Sequence, residues 1–323
     1  MSKVNSFSSR HFLLEQLAEG VYAAINAADG WAISNAGIID LGDRTLVFDA
    51  SMSPEAARDL CTAAEGFTGH PATIVIDSHY HNDHIWGNQA FPAEVDIIST
   101  TRTRELIASD GPKEIQEFQE IAQKHLETLE TQIAEAHDKA TLDNLKLHIT
   151  YYQAINATLP ILQLRLPNIT FSGSLIFKGS RRSAILNTYE GGHCANDTVL
   201  YLPNDGIVFM SDLLFIGFHP YLSEGDPEIV RRCIAEIRAL QPTILVPGHG
   251  PVGQIEDLDE MDEYISTLYV LVNEAIINGA NEEEIDKIAM PGKYQHLVFP
   301  ALFKANLKFL YKRQMPSDAG LVE

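Results

Sequence analysis

Three histidines and an aspartate fall within six residues of the segment Asp77-Ser78-His79-Tyr80-His81-Asn82-Asp83-His84, directly after the apolar run Thr73-Ile74-Val75-Ile76. Imidazoles and carboxylates are costly to bury without partners, so packing does not account for this density, and a metal does. Side chains alternate in direction along an extended segment, which lets His79 and His81 face one side and grip one ion together. Asp83 and His84 follow as the chain turns and can reach a second ion. Imidazole with carboxylate suits hard and borderline divalent metals. The bland alternative is a solvated polar turn between a strand and a helix, where histidines this dense are rare.

Three later segments repeat the design, an apolar strand that stops and sets a histidine or aspartate just beyond its end. They supply His193 after Thr188-Tyr189-Glu190-Gly191-Gly192, Asp212 after Ile207 to Met210, and His249 after Thr243 to Val246. Glycines beside His193 and His249 let the backbone turn sharply and project the rings inward. A carboxylate such as Asp212 can bridge two ions. Two ions a few ångströms apart could then share a hydroxide and hold a strong nucleophile at neutral pH.

These residues need a frame. Short strands are expected at 12–17, 21–25, 31–39 and 45–48, with turn signals such as Gly42-Asp43 between them, giving a β-meander. Ser53-Pro54 reads as the cap and first turn of a helix, and the strand at 73–76 closes a βαβ-like unit with ligands at its carboxyl end. After a strand at 95–99 and a helix at 100–109, Gly111-Pro112 breaks the pattern. Residues 113–159 then show helical spacing (Ile115, Phe118, Ile121, Leu126, Leu129), with a turn at Asp138 to Thr141. Strands resume at 169–171, 175–177 and 184–187. A hairpin at 198–210 turns on Pro203-Asn204-Asp205-Gly206, and a helix at 226–240 precedes the strand at 243–246. Two helices, 258–277 and 298–313, form the tail. With no Gly/Ser linker and no repeat, residues 1–323 read as one domain carrying a helical hairpin at 111–160, either a lid over the metal cleft or a homodimer element.

Composition narrows the partners. Forty-four acidic against 23 basic residues give a net charge of -21, which repels nucleic acid and anionic membranes. Hydrophobic residues make up 45% and charged ones 21%, ordinary for a globular chain. Cys61, Cys194 and Cys233 are too few for a disulfide framework. Residues 1–20 carry no sustained apolar core, and no run approaches a membrane span. A cytoplasmic protein acting on a small molecule is expected.

Taken together, HYHNDH at 79–84, GGH at 191–193, SD at 211–212 and PGHG at 247–250, in that order, resemble the metallo-β-lactamase superfamily over nearly the whole frame outside the helical hairpin. The resemblance implies an α/β fold, a four-layer αββα sandwich with the helical hairpin as an insertion and the metal site at one edge. It implies that His79, His81 and His193 hold one ion, Asp83, His84 and His249 the second, and that Asp212 bridges both. It also implies a hydrolase in which Asp83 and Asp212 are catalytic and a bridging hydroxide attacks the carbonyl of an ester, lactone, thioester or amide. The two ions would be zinc first, with iron or manganese as alternatives. Histidine at 81, where flavodiiron oxidases carry glutamate, and aspartate at 212, where B1 β-lactamases carry cysteine, make the chain more similar to the glyoxalase II and lactonase branch. The basic residues that clasp glutathione there have no match. Rival readings are a mononuclear iron enzyme like the persulfide dioxygenases, a phosphodiesterase, a β-lactamase and a metal-stabilised binding module.

Outside the ligand set, His219, Tyr189 and Tyr221 are candidate substrate contacts, the tyrosines as donors to an oxyanion. Packing is their alternative. Asp77 is expected to orient a ligand imidazole, and Cys194 to be a packed thiol.

Overall fold

Short apolar runs separated by turn residues fold into an antiparallel meander, β1 (Phe12–Ala18), β2 (Val21–Asn26), β3 (Ala36–Asp40) and β4 (Thr45–Phe48). The computed structural model describes residues 7–315. Residues 1–6, part of the segment read as lacking a secretion signal, and residues 316–323 lie outside the described residues.

The strand expected at 31–39 begins only at Ala36. Ile33 takes a left-handed φ of 66°, and the Asn35 side chain donates to the carbonyls of Pro247 and Gly250 at 2.9 and 2.8 Å. Residues 31–35 therefore form a loop that clasps the turn carrying His249 instead of extending a ladder.

Helix α1 (Pro54–Thr68) starts as its sequence predicts. Ser53 Oγ accepts from Ala56 N at 3.1 Å, Pro54 occupies the first turn, and Gly69 closes the helix at φ 80°. It returns the chain to β5 (Ala72–Ile76), parallel to β4, and the short helix α2 (Asn82–Ile85) follows. β6 (Asp96–Thr100) and β7 (Ile169–Phe171) complete a seven-stranded sheet in sequence order. Between them run α3 (Thr101–Ser109), α4 (Gly111–Glu135) and α5 (Lys139–Thr158). Gly111-Pro112 follows the expected break in the helical run, which falls at Asp110 between α3 and α4. It opens α4, where a proline in the first turn has no amide to satisfy. The turn between α4 and α5 also comes earlier than expected, because Asp138 caps α5 by accepting from Thr141 N.

The second sheet holds β8 (Ser174–Lys178), β9 (Ser183–Tyr189), β10 (Asp197–Leu202), β11 (Ile207–Phe215) and β12 (Ile244–His249), in the order β12-β11-β10-β9-β8. α6 (Pro227–Ala239) links β11 to the parallel β12, and α7 (Ile255–Ile277), α8 (Glu282–Ile285) and α9 (Ala301–Gln314) follow. Neither the continuation of β11 past Met210 nor α8 was expected from the sequence.

The buried clusters define the layers. Ile39, Leu46, Phe48 and Ile76 of the first sheet meet Leu186, Leu200, Phe209 and Val246 of the second. Leu60, Ala63 and Ala64 of α1 pack on the outer face of the first sheet. Ile234, Ile265, Leu268 and Leu307 of α6, α7 and α9 cover the second. The order is helix, sheet, sheet, helix, as the resemblance implies. Each fully buried Leu, Ile or Phe contributes roughly 1.5–3 kcal/mol. A fourth cluster seats the α4–α5 hairpin on Trp86, Ile85 and Met52, beside the metal-ligand motif.

Candidate metal centre

Strand ends deliver the site. After β5 stops at Ile76, His79 and His81 bring their rings to 4.6 Å, and His79 lies 4.3 Å from His84 on α2. His193 follows the β9 turn, with its ring 4.8 Å from that of His81. Asp212 is set by a break inside β11. Ser211 takes φ 47°, a conformation a non-glycine residue adopts only under constraint, and the pairing with β12 slips between Phe209 and Ser211. Gly248 is needed for another reason, since a Cβ there would stand 1.9 Å from Asp212 Oδ1.

Two groups of ligand atoms result: His79, His81, His193 and Asp212 in one, and Asp83, His84 and His249 in the other, each within 4.8 Å. Asp212 touches both, with Oδ1 3.3 Å from His84 Nε2 and Oδ2 3.3 Å from His193 Nε2. His249 Nε2 lies 3.4 Å from Asp83 Oδ2 and 3.5 Å from Asp212 Oδ2.

The outer hydrogen bonds fix which ring nitrogens face inward. Asp49 Oδ2 accepts from His84 Nδ1 at 2.8 Å and from Ser211 Oγ at 3.0 Å. Because Ser211 donates to Asp49, it accepts from Ser78 Oγ at 2.7 Å, and Ser78 in turn accepts from His79 Nδ1 at 2.9 Å. The Tyr221 carbonyl, which can only accept, takes the Nδ1 proton of His193 at 2.9 Å. Glu224 Oε2 takes the Nε2 proton of His81 at 3.0 Å. His79, His84 and His193 thus present a bare Nε2 and His81 a bare Nδ1, which are lone pairs ready for a metal.

These residues fit metal ions. Among the described residues, His79 Nε2, His84 Nε2 and Asp212 Oδ1 are buried without a hydrogen-bond partner. The bare His193 Nε2 and His81 Nδ1 face each other at 3.1 Å. Tetrahedral bonds of ~2.0–2.1 Å would separate ligand atoms by roughly 3.3 Å, near the separations seen here.

Electrostatics divide the ligands: burial opposes charge on His81, His84 and His249, but the surrounding carboxylates outweigh it and raise all three, whereas His79 and His193 are lowered. Burial and the neighbouring histidines His84 and His81 push His79 well below its ordinary pKa. Burial takes His193 down to about 4, against the pull of Asp212. Burial opposes the charge on Asp212 too, but His249, His84 and His193 outweigh it and hold the carboxylate well below its usual range. The site is a concentration of bases turned toward one another.

The three candidate substrate contacts separate. Tyr221 lines the cavity above the cluster, and its hydroxyl donates to Glu224 Oε1 at 3.0 Å. His219 is fully buried at the cavity edge, with Nδ1 2.8 Å from Tyr264 Oη, and burial lowers its pKa to about 4. Tyr189 packs in the core of the second sheet beside Cys233 and does not line the cavity, so the oxyanion role expected of it is withdrawn. Its place at the end of β9 turns it to the face opposite the cluster.

Asp77 is corrected as well. It accepts from Asn88 Nδ2 at 2.9 Å, and Asp49 and Glu224 are the carboxylates that orient ligand rings from outside. Cys194 is a buried thiol that donates to Asp197, as expected of a packed residue. Asp49 and Glu224 escaped the sequence reading, since neither carries a motif of its own, and Ser211 lies within the SD motif but had no role assigned. The sequence marks the hairpin as a lid or a dimer element without singling out Leu147, His148, Tyr151 and Tyr152 of α5, which line the cavity over the cluster.

Comparison with known proteins agrees with this architecture. The family model of the metallo-beta-lactamase superfamily matches residues 29–249. A metallo-beta-lactamase from Pontibacter korlensis is similar in structure at 16% identity and a TM-score of 0.56, covering 79% of this chain and 99% of its own. A metallo beta lactamase from Hirschia baltica is similar at 14% identity and a TM-score of 0.55, covering 79% and 98%. Likeness at these identities concerns the fold. No curated protein sequence matches the chain.

Proposed function

The chain belongs to the metallo-beta-lactamase superfamily, and on that premise we propose that it is a hydrolase acting with two divalent metal ions, zinc first, on the carbonyl of a small ester, lactone, thioester or amide. The observation that carries this reading is the set of buried, unpartnered ligand atoms, His79 Nε2, His84 Nε2 and Asp212 Oδ1, at the meeting point of the two ligand groups. His79, His81 and His193 would hold one ion and Asp83, His84 and His249 the other, with Asp212 between them. Bound there, the ions supply Lewis acidity that lowers the pKa of a water and polarises the carbonyl.

The chain's own residues do the rest. Asp83 and Asp212 orient the nucleophile, and Asp49 and Glu224 keep the ligand rings in the tautomer that binds. The α4–α5 hairpin serves as a wall of the substrate cavity, a reading supported by Leu147 and Tyr151 along it. Membership of the glyoxalase II and lactonase branch is supported by aspartate at 212. A cytoplasmic setting agrees with Cys61, Cys194 and Cys233, all free thiols. Among the described residues no helix is long and apolar enough to cross a membrane.

The test is elemental analysis coupled to a panel of lactone, ester, thioester, β-lactam and phosphodiester substrates. Two ions per chain with carbonyl hydrolysis is the expected result. A single iron with oxygen consumption on a persulfide would overturn it.

A further inference from the structure

A cavity of about 630 Å³ opens on the metal ligands His81, Asp83, His193, Asp212 and His249. That volume falls within the roughly 300–1,000 Å³ of sites that enclose a drug-sized ligand. Its far side is built by two segments outside the ligand motifs, α5 and the approach to α9. They are joined where Asn144 Oδ1 accepts from Phe299 N at 3.1 Å. The hairpin is also tied to the metal loop. Asn82 Nδ2, between ligands His81 and Asp83, donates to Glu114 of α4 at 2.8 Å and approaches Tyr151 Oη of α5 at 3.4 Å.

Aromatic rings pave one wall from the metal ligands to the hairpin. Phe215 stacks on His249 at 5.4 Å and 13°, and Phe218 lies 6.1 Å from the same ring. Phe299 follows 5.9 Å from Phe218, and His148 meets Phe299 edge-on at 4.7 Å. Ile25, Ile33, Leu147 and Leu302 add aliphatic surface. Among the described residues no lysine or arginine lines the cavity, and the acidic side chains that do, Asp83 and Asp212, are both in the ligand set. Burial lowers the pKa of His148, so the wall remains uncharged at neutral pH.

We propose that this cavity selects a neutral ester or lactone bearing a long apolar acyl or alkyl group, which lies along the Phe218–Phe299 wall and against Leu147 and Tyr151 of α5. The inference rests on the hydrolase reading and sharpens it. A substrate with a carboxylate or phosphate on its tail would have to bury that charge without a cation to pair with, which disfavours it. Each methylene placed on the wall removes further apolar surface from water, which favours the longer chain. Water adds across the acyl carbon–oxygen bond, which breaks to leave an acid and an alcohol from an ester, or a single hydroxy acid from a lactone, with the apolar group retained on the product.

The test uses the full chain, metal-loaded and metal-stripped. With para-nitrophenyl acetate, hexanoate and decanoate, kcat/KM is expected to rise by about tenfold or more along the series, and to fall by about tenfold or more when the decanoate chain ends in a carboxylate. Independently of turnover, the neutral dye N-phenylnaphthylamine should bind both forms and be displaced by decanol. Leu147→Lys should weaken the dye and narrow the gap between neutral and carboxylate-ended esters. A flat or falling chain-length profile, or turnover of short or charged esters without dye binding, overturns the inference and leaves the hydrolase reading intact. Dye and decanol binding weakened by Leu147→Lys, with no ester, lactone, thioester or amide hydrolysed, supports the apolar-cavity assignment and defeats the hydrolase reading instead.

Discussion

Asp49 Oδ2 lies 2.8 Å from His84 Nδ1, and both side chains are at most 1% exposed. The same oxygen accepts Ser211, and Ser211 and Ser78 continue the chain to His79. One buried carboxylate therefore sets the tautomer of a ring in each ligand group. Partners of this kind are worth about 10–100-fold in metal affinity. Asp49→Ala is expected to weaken both ions by about that factor, read by competition with a chromogenic chelator. Unchanged affinity would mean that the ligand rings hold their orientation without it.

Glu224 does the corresponding work for His81 from the opposite side, and it also gathers Tyr80 at 2.5 Å and Tyr221 at 3.0 Å. Its partial burial opposes ionisation, but His81, Tyr80 and Tyr221 outweigh that and bring its pKa down to about 2. Glu224→Gln keeps the shape but loses the charge, and is expected to weaken metal binding by about tenfold. Tyr80→Phe removes one neutral donor and should cost less. The same chelator titration ranks the three proteins.

Asp212 touches both ligand groups, so its removal separates a two-ion centre from a one-ion centre. Asp212→Ala is expected to lower the metal content per chain and to abolish most turnover, measured by elemental analysis and the substrate panel. Survival of both would defeat the two-ion reading.

The ligand positions were legible because each histidine or aspartate follows an apolar run, with glycines beside His193 and His249, where packing gives it no other reason to be. Their supports were not. Asp49 sits in Val47-Phe48-Asp49-Ala50, which reads as an ordinary strand end, whereas Asp77 adjoins the motif and drew the expectation. The His84 ring takes its partner from the adjacent strand rather than from its chain neighbours. β4 and β5 run parallel with Phe48 opposite Ile76, which brings Asp49 beside the motif. The helical hairpin was legible from its spacing, but the pattern alone does not say which side of α5 faces a cavity. The early end of the 31–39 strand was hidden too, because Asn35 bonds across the molecule to residues more than two hundred positions away.

Glu114 gives a pH dependence with a definite sign. Burial raises its pKa to about 7, reinforced by Asp83 and Glu224 and opposed by His81 and Asn82. The folded state then holds a proton that the unfolded chain releases near pH 4.5. Stability should accordingly fall as the pH rises from about 4.5 to about 7. Glu114→Gln is expected to remove that fall and stabilise the metal-free protein at pH ~8 by on the order of 1–2 kcal/mol. Urea unfolding at several pH values checks it, and parallel curves for the two proteins would contradict it.

Trp86 tests whether the hairpin is an integral part of the fold. It is 1% exposed and meets Phe118 of α4 edge-on at 6.0 Å and 87°. It shares its cluster with Met52, Ile85, Ile107, Ala122, Ala154 and Ile155, drawn from both sides of the junction. Trp86→Ala leaves a large void there and is expected to cost about 3–5 kcal/mol. Ile277→Ala, at a position 83% exposed, should stay within about 0.5 kcal/mol of the parent. Because Trp86 directly follows α2, which carries His84, the loss should also lower metal affinity, whereas the Ile277 control should not. Denaturant unfolding with and without metal reads both effects. A Trp86→Ala protein as stable as the parent would mean that the hairpin rests on the sandwich without contributing to it.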